Sequence, residues 1–115
     1  MEKHNVLYSD RNVKEDIENV DFRSVRKAMG GITKQFRYKD DPEHRLTYGV
    51  IAQDLEAAGL NELVHIDENG VKAVDYTSLL MLKYEYLLSL YENLSVNLGV
   101  LQDELEEIKK EKDNK

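Results

Sequence analysis

An apolar stripe with a heptad period runs through the last third of this sequence. Its members alternate at spacings of three and four residues; they are Leu80, Tyr84, Leu87, Tyr91, Leu94, Leu98, Leu101, Leu105 and Ile108. This spacing predicts one long helix whose apolar positions recur every ~3.5 residues. A single helix cannot bury such a stripe, so the sequence predicts an oligomer held together by a coiled coil.

The residues of the stripe favour a bundle of three helices. Leucine at both core positions leaves the number open, but Tyr84 and Tyr91 are bulky for a tight dimer. Asp75 fits the cap position before a helix predicted over residues 75–112. Further apolar residues in the first half of this helix predict packing against a globular part; they are Leu79, Met81, Leu82, Leu88 and Leu90.

Composition excludes several classes of function. The chain of 115 residues has no cysteine, which rules out disulfides and thiolate metal sites. Its net charge of −7 argues against a general binder of nucleic acid or anionic membranes. No apolar run reaches the ~20 residues that cross a bilayer, and the first residues lack the apolar core of a signal peptide. His4, His44 and His65 are scattered, so we expect neither a metal site nor a cofactor.

The remaining sequence predicts an α+β fold in three parts. Residues 1–8 are interpreted as the remnant of an upstream fibre or stem segment, residues 9–74 as a small mixed domain, and residues 75–115 as the long helix. Within the mixed domain, apolar spacing and turn residues predict short elements. They are a short helix or turn over residues 13–20, helices over residues 22–29 and 54–58, strands over residues 32–38 and 46–51, and a hairpin joining residues 63–66 to 71–74 through Asp67-Glu68-Asn69-Gly70.

One pair of residues suggests chemistry. Ser9 and Lys14 are five residues apart, at the junction between the upstream segment and the mixed domain. A serine becomes a nucleophile when a base takes its proton, and a lysine serves as that base only in its neutral form, which burial or a nearby cation such as Arg11 would favour. This spacing does not stack the side chains on one helix face, so they must meet through a turn or across a chain interface. The same residues also fit a serine cap followed by a solvated lysine.

Three segments together carry a family resemblance. They are SD at residues 9–10 followed by KEDI at residues 14–17, GVIAQDLE at residues 49–56, and VDYTSLL at residues 74–80 where the long helix begins. In this order they resemble the intramolecular chaperone domain of phage endosialidases, tailspikes and tail fibres. That domain defines the S74 peptidase family, which also has a relative in a membrane-bound eukaryotic transcription factor. A histidine often precedes the second segment in relatives, whereas Thr47 and Tyr48 stand there in this chain.

The resemblance implies a specific function. The domain would lie at the C-terminus of a fibrous phage protein, form a homotrimer, guide the folding of the upstream β-rich stem and then release itself. It would be a self-cleaving serine endopeptidase of single turnover, acting in the host cytoplasm on a virion tail precursor. By this resemblance, Ser9 is the nucleophile, Lys14 is the general base, and the cut falls at Ser9, with the Ser9–Asp10 bond favoured over the Tyr8–Ser9 bond.

Three other functions remain open at this point. The same fold with an inactive Ser9–Lys14 pair would be a non-cleaving trimerisation cap of a fibrous protein. A regulatory protein that frees an upstream DNA-binding segment ranks lower, because no basic DNA-reading element is evident. A small module that binds a sugar or nucleotide ranks low as well, since no motif supports it.

Overall fold

The computed structural model of the chain describes residues 6–114. His4 and residues 1–5 of the expected upstream remnant lie outside this range, as does Lys115. The described residues form an α+β fold, as the sequence predicts, with short antiparallel strands followed by one long helix. The elements are α1 (Arg23–Lys27), β1 (Thr33–Phe36), β2 (Thr47–Val50), α2 (Ala52–Ala57), β3 (Val64–Ile66), β4 (Lys72–Val74) and α3 (Tyr76–Asp113), with single 3₁₀ turns at Arg11–Val13 and Asn61–Leu63.

The strands form two separate antiparallel hairpins. In the first, β1 pairs with β2 so that Thr33 is opposite Val50. In the second, β3 pairs with β4 so that Val64 is opposite Val74. The carboxylate of Asp67 organises the second turn by accepting hydrogen bonds from the backbone N–H groups two and four residues later. Gly70, at φ 80°, supplies the left-handed conformation that this turn needs. The predicted hairpin is therefore confirmed.

A small core joins the two hairpins to the helices. Leu55, Leu79 and Val25 are its largest fully buried side chains. The other members of the cluster are Ala28, Ile32, Val50, Ala58, Leu60 and Leu63. The ring of Phe22, just before α1, packs on that of Tyr86 in α3 with ring centroids 5.3 Å apart. The core thus fixes the position of α3 through its first three turns.

The hydroxyl of Tyr76 fastens the start of α3 to β2. It accepts a hydrogen bond from the Val50 N–H at 2.9 Å and donates one to the Val50 carbonyl at 3.3 Å. A strand edge normally offers these two groups to a further strand, so the hydroxyl takes the place of a neighbour in the sheet. Gly49 makes the approach feasible, because a Cβ at that position would overlap the Tyr76 hydroxyl.

The long helix presents two different apolar surfaces. Leu79 is buried, and Leu82 and Tyr86 pack beside it against the core. The expectation that this half packs on the globular part is confirmed for Leu79 and Leu82, whereas Met81 is 67% exposed. With 38 residues, the helix is roughly 57 Å long at 1.5 Å per residue. No helix among the described residues is both long and apolar enough to cross a membrane.

Of the short helix or turn expected over residues 13–20, the structure shows no helix. Only the single 3₁₀ turn at Arg11–Val13 forms, and the chain then continues as irregular backbone to Phe22. Asp16 has φ 53°, a left-handed conformation that interrupts a right-handed helix. Ile17 and Val20, whose spacing suggested the helix, are both exposed and have no core to pack against in the single chain. Apolar spacing alone does not form a short helix without tertiary packing.

The Tyr76 contact yields a stability prediction. Replacing Gly49 by alanine should lower the free energy of unfolding by about 1–3 kcal/mol, because the new methyl group displaces the hydroxyl and leaves the Val50 backbone groups unpaired. Gly99→Ala is the matched control, since a Cβ at Gly99 meets no atom within 4 Å. That control should be neutral or stabilising by up to about 1 kcal/mol. Urea unfolding of both variants measures the difference, and similar values for the two would contradict the role assigned to Tyr76.

Acid should weaken the start of α3. The Ser78 backbone N–H and hydroxyl, with His65 adding a smaller contribution, hold the pKa of Asp75 below its usual value of 3.8. At pH values near 3.8 the unfolded chain therefore binds more protons at this position than the folded chain. Its contribution to stability is complete above that range and is lost as pH falls through the folded value.

Asp75→Asn tests this contribution, because asparagine keeps a capping oxygen but does not titrate. Melting followed by circular dichroism at about pH 6 and about pH 3 should show a smaller acid-induced loss for Asp75→Asn than for the wild-type chain. An equal loss in the two proteins would show that other carboxylates account for the acid sensitivity.

Candidate active site

A compact turn places Ser9 and Lys14 side by side. The Asp10 carboxylate accepts a hydrogen bond from the Asn12 N–H at 2.9 Å. The Asp10 carbonyl accepts another from the Val13 N–H at 3.0 Å. These bonds close the 3₁₀ turn at Arg11–Val13, after which Lys14 returns to extended backbone. A short polar residue at position 10 favours this local geometry.

The turn creates a direct contact between the two side chains. Lys14 Nζ donates a hydrogen bond to Ser9 Oγ at 2.7 Å. Of the two routes that the sequence left open, the structure thus shows a turn within one chain. This distance lies within the range that a nucleophile and its base require. With the amine neutral, the same contact would let Lys14 take the hydroxyl proton as Ser9 Oγ attacks a carbonyl carbon.

The pair is open to solvent in the single chain. Ser9 and Lys14 are both exposed, and the preceding Tyr8 is 93% exposed. No other described side chain forms a hydrogen bond to either member of the pair. Whatever would bury the lysine or orient the scissile carbonyl must therefore come from outside the described part of one chain.

The other two motif segments meet each other instead of the Ser9–Lys14 pair. GVIAQDLE forms the end of β2 and most of α2, and VDYTSLL contains the end of β4 and the start of α3. They meet where the Tyr76 hydroxyl binds the Val50 backbone. Sequence reasoning missed this contact, although a glycine inside an otherwise apolar strand is a signal of close approach.

His44 belongs to a separate, well-ordered loop. Between β1 and β2, the Asp41 carboxylate accepts hydrogen bonds from the backbone N–H groups of Glu43 and Arg45 and from the Arg45 guanidinium. The guanidinium and these N–H groups lower the pKa of Asp41. The His44 carbonyl accepts a hydrogen bond from Arg37. Among the described residues, no hydrogen bond joins His44 to Ser9 or Lys14, and no group of three or more potential metal-ligating side chains occurs.

The heptad stripe lies on the open side of α3. All nine of its residues are exposed in the single chain, by 53% to 67% of their surface. The members of the stripe, from Leu80 to Ile108, are therefore available to a partner along almost the whole helix. An apolar surface of this length is unusual on a protein that remains a monomer.

The comparison with protein families gives a specific match at this site. The family model Peptidase S74, described as "chaperone of endosialidase", matches residues 9–65. The chain belongs to the S74 peptidase family. The matched segment begins at Ser9, includes the turn to Lys14 and the GVIAQDLE segment, and ends within β3. No curated protein matches the chain.

The S74 match confirms the family resemblance and covers the first two of the three segments. The VDYTSLL segment lies beyond the match, as do β4 and α3. The described chain is thus a domain of the endosialidase chaperone family with a long helix attached to its core. The roles of Ser9, Lys14 and Asp10 and the coiled coil remain predictions that require their own tests.

Proposed function

We propose that this S74 domain is a trimeric folding chaperone for an upstream β-rich stem in the same polypeptide, and that it releases itself by a cut at Ser9. The observation that carries the proposal is the hydrogen bond from Lys14 Nζ to Ser9 Oγ, formed where the family match begins. Such a domain would belong to the precursor of a virion tail spike or fibre and would act in the host cytoplasm during assembly.

The exposed stripe of α3 supports the trimer. Burying apolar surface contributes roughly 25 cal/mol per Å², and each stripe residue leaves more than half of its surface exposed in the single chain. A bundle of three helices would cover this surface. It would also bring the ends of three stems together at an effective concentration that reaches the millimolar range for short connections. Three chains that are already in register need no further encounter before the stem folds.

The cut would proceed through an ester. Ser9 Oγ attacks a backbone carbonyl carbon while Lys14 takes the hydroxyl proton and passes it to the departing amide nitrogen. Water then hydrolyses the ester and regenerates the serine. General-base assistance of this kind contributes typically 10²–10⁴-fold, which suffices for a reaction that each chain performs once.

The bond that breaks also reports which chain attacks. Attack by Ser9 on the Tyr8 carbonyl of its own chain is the route of an N-to-O acyl shift and breaks the Tyr8–Ser9 bond. Attack on its own carbonyl would require a strained β-lactone. A cut at Ser9–Asp10, the bond favoured from the resemblance, therefore points to Ser9 of another chain as the nucleophile. The masses of the two products distinguish these routes.

A non-cleaving trimerisation cap is the second candidate. The observation that favours it is the exposure of Ser9 and Lys14, because active sites normally exclude water from the reacting groups. In this case the hydrogen bond would only stabilise the turn. The cleavage experiment decides between the two functions.

The cleavage prediction is tested on the polypeptide that carries its upstream stem. The wild-type protein should separate into two bands on a denaturing gel, and Ser9→Ala and Lys14→Ala should remain intact, with at least about a 100-fold slower cut. Ser95→Ala and Lys39→Ala are matched controls at exposed positions and should cleave like the wild type. An intact wild-type protein would leave the non-cleaving cap as the function, and cleavage by Ser9→Ala would exclude Ser9 as the nucleophile.

The trimer prediction is tested on the same helix with two exposed residues. Leu94, in the stripe, is 67% exposed, and Val96, outside it, is 64% exposed. Leu94→Asp would place a charge inside the bundle, so it should weaken association by at least about tenfold, whereas Val96→Asp should not. Sedimentation equilibrium over a range of concentrations measures both. A wild-type mass other than three chains, or equal weakening by the two variants, would refute the proposed bundle.

A further inference from the structure

Charge is strongly segregated at the start of the S74 domain. Residues 23–39 contain six cationic side chains and no carboxylate, although the chain as a whole has a net charge of −7. The preceding residues 9–22 have the opposite character, with five carboxylates and two cations. These two stretches are adjacent in sequence, but in the fold the cations gather on one surface whereas the carboxylates lie on an irregular segment.

The fold gathers several of the cations on one surface. Lys27 lines a shallow groove with Arg26 and a second groove with Lys34, beside the glycines that follow α1. We call Arg26, Lys27 and Lys34 the basic strip. All three are exposed, and none forms an ion pair with another described residue. Asp54 is the one carboxylate that lines the second groove.

The stretch before α1 has the properties of a segment that binds a surface. Glu15, Asp16 and Glu18 give it a negative charge, and we call these three residues the acidic segment. From residue 15 to residue 20, no backbone group forms a hydrogen bond with another described residue. Ile17 and Val20 expose 54% and 45% of their surface. Unpaired backbone groups beside exposed apolar side chains leave this irregular stretch available to a partner.

The position of α1 indicates which surface would bind the acidic segment. Phe22, the last residue before the basic stretch, packs on the core-facing Tyr86, at the height along α3 at which Tyr84 and Leu87 of the heptad stripe face the open side. The acidic segment and the basic strip thus begin at the same height along the proposed bundle, on the core side of the helix. In a trimer, each acidic segment would lie at the same level as the basic strips of the neighbouring chains. Among the described residues of one chain, the two stretches share a single ion pair, that of Asp21 with Arg23.

We infer that the acidic segment of one subunit binds the basic strip of a neighbouring subunit. The inference rests on the trimer of the proposed function and extends it to a second contact between chains. Opposite charges fix the register of the segment, and Ile17 and Val20 lose their exposure on the neighbour. Because the segment continues directly from Lys14, the neighbouring subunit would hold the turn that carries Ser9 and Lys14.

Charge reversal in the full chain tests this contact. Two variants reverse one side each, Glu15→Lys/Glu18→Lys and Lys27→Glu/Lys34→Glu. Amide hydrogen exchange of residues 15–20 should show protection in the wild-type trimer and about a tenfold loss of protection in each variant. Raising the salt concentration should weaken the wild-type protection as well. Lys109→Glu/Lys112→Glu, near the far end of α3, changes the net charge as Lys27→Glu/Lys34→Glu does and should leave this exchange unchanged.

Mixing the two reversed variants identifies the chain that supplies each side. Unfolding and refolding the mixture forms trimers in which reversed segments meet reversed strips, so protection of residues 15–20 should return. Recovery only when all four substitutions are in one chain would show contact within a chain and overturn the inference. Unchanged exchange in both variants would overturn it too. If exchange is unchanged and Lys27→Glu/Lys34→Glu loses only the binding of a single-stranded oligonucleotide, the basic strip is a nucleic-acid contact and the inference is wrong.

Sedimentation of the same samples separates this inference from the proposed function. The reversed variants should keep the mass of three chains, since the heptad stripe is intact in them. A wild-type mass of one chain would mean that the trimer itself is absent. Three chains with unaltered exchange would leave the trimer standing and remove only the contact between acidic segment and basic strip.

Discussion

The attachment of α3 to the small domain through the Tyr76 hydroxyl organises the rest of the structure. It joins a helix of 38 residues to a hairpin whose strands have four residues each, by bonds to both backbone groups of Val50. Leu79 enters the core one turn later. These contacts fix the direction of the heptad stripe relative to the globular part. The geometry of any assembly built on the stripe is therefore set at Gly49, Val50 and Tyr76.

The single chain buries one set of apolar residues and exposes another. Among the residues that the structure describes, ten apolar residues are buried in the core, whereas α3 exposes an apolar stripe almost along its whole length. A core of this size contributes little stability by itself, and small domains commonly obtain the remainder by association. In the proposed trimer, folding of the domain and association of the chains would be coupled, because the helix that completes the core also carries the exposed stripe.

Local patterns in the sequence predicted most of the elements, because their causes are local. Asp67 and Gly70 determine the β3–β4 turn, and Asp75 caps α3 through Ser78. The helix alternative over residues 13–20 does not form for a tertiary reason, since Ile17 and Val20 find no core in the single chain. The contact of Tyr76 with Val50 joins residues that are 26 positions apart, beyond the reach of spacing rules. Residue chemistry and family resemblance predicted the Ser9–Lys14 pair, but the turn that brings the two side chains together is seen only in the structure.

The short sequence separation of Ser9 and Lys14 has a consequence for timing. A contact that closes so small a loop forms in well under a microsecond, far faster than a β-rich stem of three chains can assemble. Under the proposed function, the pair would therefore be able to form on a nascent chain long before a finished stem exists. If cleavage is to follow the completion of assembly, formation of the pair cannot control its timing. The controlling step must be the later formation of contacts that cover the pair.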